Sequence, residues 1–149
     1  MNKKIIKKID WDLVRNEIIN SSNESAIYIG CDSRLTKKST YFALAVIIHL
    51  DGCHGGRIFT ETCHTDRITS LRHRLLKEVE IVVDGAMKIE DVIEDRLFQI
   101  HLDINPDVQH KSNIVVKEAL GWVQGLGYDC HIKPNSWAAS HCADHIIQD

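Results

Sequence analysis

No apolar run in this chain approaches the length of a membrane span. The longest, Tyr41 to Ile48, is far too short to cross a bilayer as a helix. The start, MNKKIIKKID, has basic residues but neither the continuous apolar stretch nor the small-residue cleavage site of a secretory signal. Cysteine is present without a framework. Cys31, Cys53, Cys63, Cys130 and Cys142 are odd in number, none stands in a CxxC pair, and this usage points to a reducing cytoplasm. Repeats and low-complexity linkers are absent, so the 149 residues read as one domain, with 1–24 an N-terminal helix and linker and 25–149 the core. A net positive charge is absent as well. A formal net charge of −3 removes any global electrostatic argument for nucleic acid. It does not exclude that partner, because gathered carboxylates bias the count and a bound divalent ion reverses it locally. The basic residues that do cluster, Arg67, Arg72, Arg74 and Lys77 in DRITSLRHRLLK, read as a solvated helix face.

What is present is a chain with 44% hydrophobic and 26% charged residues, in the range of an ordinary globular domain. DWDLVRNEII reads as an opening helix capped by Asp10, with Leu13, Ile18 and Ile19 as its apolar stripe. Three strands follow, at Ser25–Cys31, Thr40–Leu50 and about Arg57–His64, the last two joined by the turn residues of DGCHGG. The second is apolar on both faces, as a strand well inside a sheet should be. From Thr69 the period changes: Leu71, Leu75, Val79, Val82 and Ala86 mark an amphipathic helix to about Met87. KIEDVIED is a polar connection or short helix. In RLFQIHLDI, Phe98, Ile100, Leu102 and Ile104 share one face, and Gln99, His101 and Asp103 the other. NPDVQHK is a loop. Ser112 caps a helix from Asn113 to about Leu126, stopped by Gly127. YDCHIK makes a last short strand, and NSWAASHCADHII a final helix capped by Asn135 or Ser136. The order is helix, then β-β-β-α-β-α-β-α, an α/β arrangement in which right-handed crossovers set the fourth strand parallel to an earlier one.

The first strand ends on Asp32, in AIYIGCDSRLT, and the fourth on Asp103. If those strands are parallel neighbours, both carboxylates meet at the carboxyl edge of the sheet, where open α/β sheets bind ligands. Two carboxylates about 4 Å apart repel by roughly 4 kcal/mol at an effective dielectric near 20. A divalent cation between them offsets that cost, and an all-oxygen site suits magnesium or manganese better than zinc. On the helix after the third strand, Glu78 and Glu80 compete as a further acid. Stepping 100° per residue sets Glu78 at the border of the apolar stripe and Glu80 further away, which favours Glu78. Trp122, Trp137 and Tyr128 read as core rather than as stacking platforms.

IYIGCDSR, IHLDINPD, KSN, GLGYDCHIKPNSWAASHCADH and the glutamate of LLKEVE together resemble the bacterial YkuK-like family, predicted members of the ribonuclease H-like superfamily, over about residues 26–147. The resemblance implies a mixed five-stranded sheet in the order 3-2-1-4-5, flanked by helices, with an extra helix at the N-terminus. It maps the superfamily's acidic set onto Asp32, Glu78, Asp103 and Asp144. It further implies a metal-dependent nuclease in which these four acids hold two Mg²⁺ or Mn²⁺ ions, one activating water and the other stabilising the leaving oxygen. His101 or His110 would shuttle a proton, and Ser33, Lys111 and Lys133 would contact the substrate. The expected partner is nucleic acid: RNA, an RNA–DNA hybrid or structured DNA. With no separate hybrid-binding domain visible, a second copy or a protein partner would supplement affinity. Two other readings stand beside this one. The fold can serve as a non-catalytic module that binds nucleic acid or protein. The Cys-His steps at 53–54, 63–64 and 130–131, with His141, Cys142 and His145, keep a structural zinc site in view.

Overall fold

The computed structural model describes residues 3–50, 55–104 and 113–138. In chain order the elements are β1 (Lys4–Lys7), α1 (Trp11–Asn20), β2 (Ala26–Leu35), β3 (Ser39–His49), β4 (Gly56–Asp66), α2 (Leu71–Met87), α3 (Glu90–Ile93), β5 (Leu97–Leu102), α4 (Asn113–Gly125) and β6 (Cys130–His131). The expected final helix lies, from residue 139 on, outside the described residues.

The sheet has six strands, not five, in the order β1-β4-β3-β2-β5-β6. The added strand is β1, which pairs antiparallel with β4 through Lys4↔His64 and Ile5↔Cys63 and shifts register before Lys7↔Thr62. Its four residues, KIIK, are all exposed, so they carry no alternation from which a strand could be read. The other five keep the relative order expected of them. β2, β3 and β4 form an antiparallel meander, and β5 returns parallel to β2 after the α2 crossover, with β6 parallel to β5 beyond it.

Asp10 caps α1 by accepting from the Leu13 amide at 3.1 Å. The buried stripe of this helix is Val14 and Ile18, whereas Leu13 and Ile19 face outward at 47% and 54% exposure. The expected stripe is thus rotated by about one residue, because two adjacent apolar pairs left the phase ambiguous. β3 is buried on both faces along nearly its whole length. One face joins the main core of Ile27, Ile29, Phe42, Leu44, Val46, Val79, Val82 and Ile100. On the other, Ala43, Ala45 and Ile47 pack with Tyr28, Trp137 and Ala138. Helix α2 lies close against the sheet because position 85 is glycine. A Cβ there would stand 2.8 Å from the Ile29 side chain and 3.2 Å from Trp11. Arg96, 8% exposed, ties the helical ends together. It donates to the carbonyls of Ile19 and Ser21 behind α1 and reaches those of Val92 and Ile93 in α3. Those carbonyls are the orphan acceptors of helix C-termini, where a cation is favoured. Trp122, expected in the core, is 38% exposed on α4. Trp137 does pack, edge-on to Tyr28 at 4.7 Å between centroids.

Candidate functional site

The last parallel pair between β2 and β5 is Cys31↔Leu102. The next residue on each chain is an aspartate, so Asp32 and Asp103 are set side by side at about one interstrand spacing, ~4.8 Å between backbones. Beyond this point β2 continues along β3 to Leu35↔Thr40, while the β5 chain turns away. The Ile104 amide donates back to the Leu102 carbonyl at 2.9 Å, bending the backbone around Asp103. A parallel strand that ends one residue early thus opens a notch with a carboxylate on each side.

Helix α2 supplies the floor. Glu78 is 5% exposed and accepts from the Ser33 hydroxyl at 2.8 Å. The Ser33 amide in turn donates to Asp32 Oδ1 at 2.8 Å. Ser33 therefore bridges the two acids, and its hydroxyl is already engaged with Glu78. Glu80, the competing acid, faces outward and pairs with Lys77 at 3.0 Å. Burial pushes the Glu78 carboxyl well above its ordinary range, the neighbouring Asp32 adds to this, the Ser33 hydroxyl eases it, and Asp103 raises it further. These groups line a cavity of about 190 Å³, together with Leu71, Arg74, Leu75, Ile104 and Lys133. Lys133 Nζ lies 3.1 Å from Asp103 Oδ1. Its backbone amide donates to the Ile104 carbonyl, which fixes the segment after β6 against the notch.

Of the expected site residues, the structure brings together Asp32, Ser33, Glu78, Asp103 and Lys133. Asp144, His110 and Lys111 lie outside the described residues, as do His141, Cys142 and His145. His101 is elsewhere. Fully buried, it packs against Tyr28 and Trp137 on the sheet face away from α2 and does not line the cavity. Its Nδ1 accepts from the Ala138 amide at 3.1 Å, which leaves Nε2 to donate to Gln99 Oε1 at 3.0 Å. Burial, with His131 nearby, lowers its pKa to about 4, so it is neutral and proton-silent near pH 7. Strand alternation assigned His101 to the face of Asp103 correctly as a period, but the bend at residue 103 separates the two.

Arg74 is the residue that sequence reasoning missed. It sits one helical turn before Glu78, lines the cavity, and its Nε is buried with no hydrogen-bond partner among the described residues. The i, i+4 spacing from Glu78 was the available signal. As to soft-metal chemistry, burial pushes the thiols of Cys31 and Cys63 up, and that of Cys130 up to about 12. Among the described residues no three His, Cys, Asp or Glu side chains already form a cage around one point.

A mixed sheet whose strand order reverses beside an acidic notch defines an α/β protein with its candidate site at the carboxyl edge. Within that class, a family model described as Ribonuclease H-like matches residues 11–148, and the chain belongs to this family. No curated protein matches the sequence.

Proposed function

We propose that the protein is a divalent-metal-dependent nuclease that hydrolyses phosphodiester bonds in RNA, RNA–DNA hybrids or structured DNA. The observation that supports this most directly is the meeting of Asp32, Glu78 and Asp103, from three separate elements, in one cavity that also holds Arg74 and Lys133. The donor set fits hard cations: it is all carboxylate oxygen, and its buried member is driven toward protonation first by burial and then by its acidic neighbours, a strain that a divalent ion relieves. Asp32, Glu78 and Asp103 would hold the metal, with Asp144 as the fourth acid of the resemblance. When bound, Mg²⁺ or Mn²⁺ would supply an activated water and charge stabilisation at the leaving oxygen. Ser33 orients Glu78 and Asp32 toward each other. Arg74 and Lys133 stand on the cavity wall as cations for the scissile phosphate, Lys133 by exchanging its contact with Asp103.

The test is a panel of hybrid, single-stranded RNA and branched DNA substrates incubated with Mn²⁺. Cleavage is expected in the wild-type protein and a loss of at least about 100-fold in Asp32→Asn and Asp103→Asn, the scale of losing a principal electrostatic group. Equal cleavage by all three proteins would place the activity in another site. A second reading, a nucleic-acid-binding module without turnover, draws on the Lys133–Asp103 ion pair, which already neutralises one acid of the set. Calorimetric titration with Mn²⁺ separates the two: uptake abolished by Asp32→Asn supports the nuclease, and no uptake supports the module.

A further inference from the structure

Beyond the notch, β2, β3 and β4 run on together past the end of β5. Pairing persists to Leu35↔Thr40 between β2 and β3 and to Ser39↔Asp66 between β3 and β4. This three-stranded shelf ends in the turn at Thr36, whose hydroxyl and amide both close onto the Ser39 carbonyl. Four cations gather at its tip. Arg34 lies two residues beyond Asp32 on the same strand, hence on the same sheet face. Lys37 and Lys38 occupy the turn, and Arg67, immediately after β4, is held there by donating Nε–H to the Thr36 carbonyl at 2.9 Å. All four are exposed, and none forms an ion pair among the described residues. The next arginine along, Arg72, differs: Glu118 occupies it at 2.7 Å. Asp66 is the acid at the tip, so the tip is net positive in a chain whose net charge is −3.

We infer that this tip is a phosphate-backbone contact surface that holds the nucleic-acid strand on one side of the cut. The inference rests on the nuclease reading and extends it to how the substrate lies. Leu35 lies three residue steps beyond Asp32, about 10 Å at 3.3 Å per residue, and the turn carries the cations somewhat further. A stacked nucleic-acid strand advances about 3.4 Å per phosphate, so the tip meets phosphates roughly three to four nucleotides from the notch. Exposed cations without partner carboxylates among the described residues suit a repeating anion and impose no sequence preference. The notch would be fed by a strand lying along the shelf.

The test uses full-length wild type and the triple variant Lys37→Ala, Lys38→Ala, Arg67→Ala, with thermal unfolding to show that both fold. Binding of labelled hybrid and single-stranded RNA is followed by fluorescence anisotropy in EDTA, where turnover cannot contribute, from 50 to 200 mM salt. The slope of log K against log salt is expected to fall by about 2–3 in the variant with the duplex. Correspondingly, the wild-type advantage shrinks by roughly 40-fold across that salt range. Equal slopes and affinities in the two proteins would overturn the inference, as would wild type that binds none of the probes. Loss of binding by the triple variant to polyglutamate as large as that to RNA would overturn it too, showing a general acidic-partner surface. A cleavage assay on the same samples keeps the two proposals apart. Cleavage with unchanged KM in the variant removes the contact surface and leaves the nuclease. Salt-linked binding at the tip without cleavage by wild type removes the nuclease and leaves the contact surface.

Discussion

At the scale of single residues, His101 makes the clearest pH prediction. Its unfolded value is near 6.5, and in the fold burial and His131 hold it down at about 4. The native state therefore binds fewer protons than the unfolded chain between these values. The stability tied to neutral His101 is complete above pH 6.5, declines as pH falls, and is gone at about pH 4. The shift corresponds to at most about 3 kcal/mol. Urea unfolding at pH 7 and pH 4.5 should show wild type losing about 1–3 kcal/mol more than His101→Asn over that interval. Parallel losses in the two proteins would mean that the imidazole is not held neutral. The meeting of Asp32, Asp103 and Glu78 was legible at this scale for a concrete reason: a parallel register makes neighbours of Asp32 on β2 and Asp103 just past the end of β5, and a 100° step picks Glu78 over Glu80. Arg74 was legible only through its i, i+4 spacing from Glu78, which does not fix where it points. An arginine at the border of an apolar stripe looks the same in sequence whether it faces water or turns into a cavity, and only the position of the sheet edge decides.

Among elements, the junction of α1 and α3 depends on Arg96. Its guanidinium reaches several carbonyls at two helix ends while the side chain is almost fully buried. Arg96→Met keeps much of the volume and removes every donor, so it should cost about 2–4 kcal/mol by leaving buried acceptors unpaired. Arg96→Lys restores one charged donor and should recover only part of that loss. A denaturation midpoint in Arg96→Met equal to that of wild type would show that solvent satisfies these carbonyls. The elements themselves were mostly visible in the sequence, since long periodic segments such as β3 and α2 carry many repeated signals. Short ones fared unevenly: β6, two residues long, falls inside the strand read from YDCHIK, whereas the four exposed residues of β1 carry no period that could register. The phase of α1 slipped because Leu13-Val14 and Ile18-Ile19 each offer two adjacent choices, and tertiary packing selects between them.

For the molecule as a whole, the strand order followed from the resemblance together with one physical rule, the right-handed crossover. The sixth strand did not, because what holds β1 lies far along the chain. Pairing with β4 supplies its backbone bonds, and Lys7 Nζ donates to the Thr60 hydroxyl at 2.9 Å. Among the described residues no helix is long and apolar enough to cross a membrane. The two outermost strands have a consequence for how copies of this chain meet. An eleven-residue β4 left bare would offer a row of unsatisfied amides and carbonyls, the template on which another chain adds itself. A short, lysine-flanked, register-broken β1 masks part of that row and is itself a poor template, while two-residue β6 does the same at the far side. Removing residues 1–7 should therefore produce concentration-dependent association, measurable by light scattering, before it produces any large fall in melting temperature. On that outcome, the few residues that give no strand signal in the sequence act as a guard against self-polymerisation.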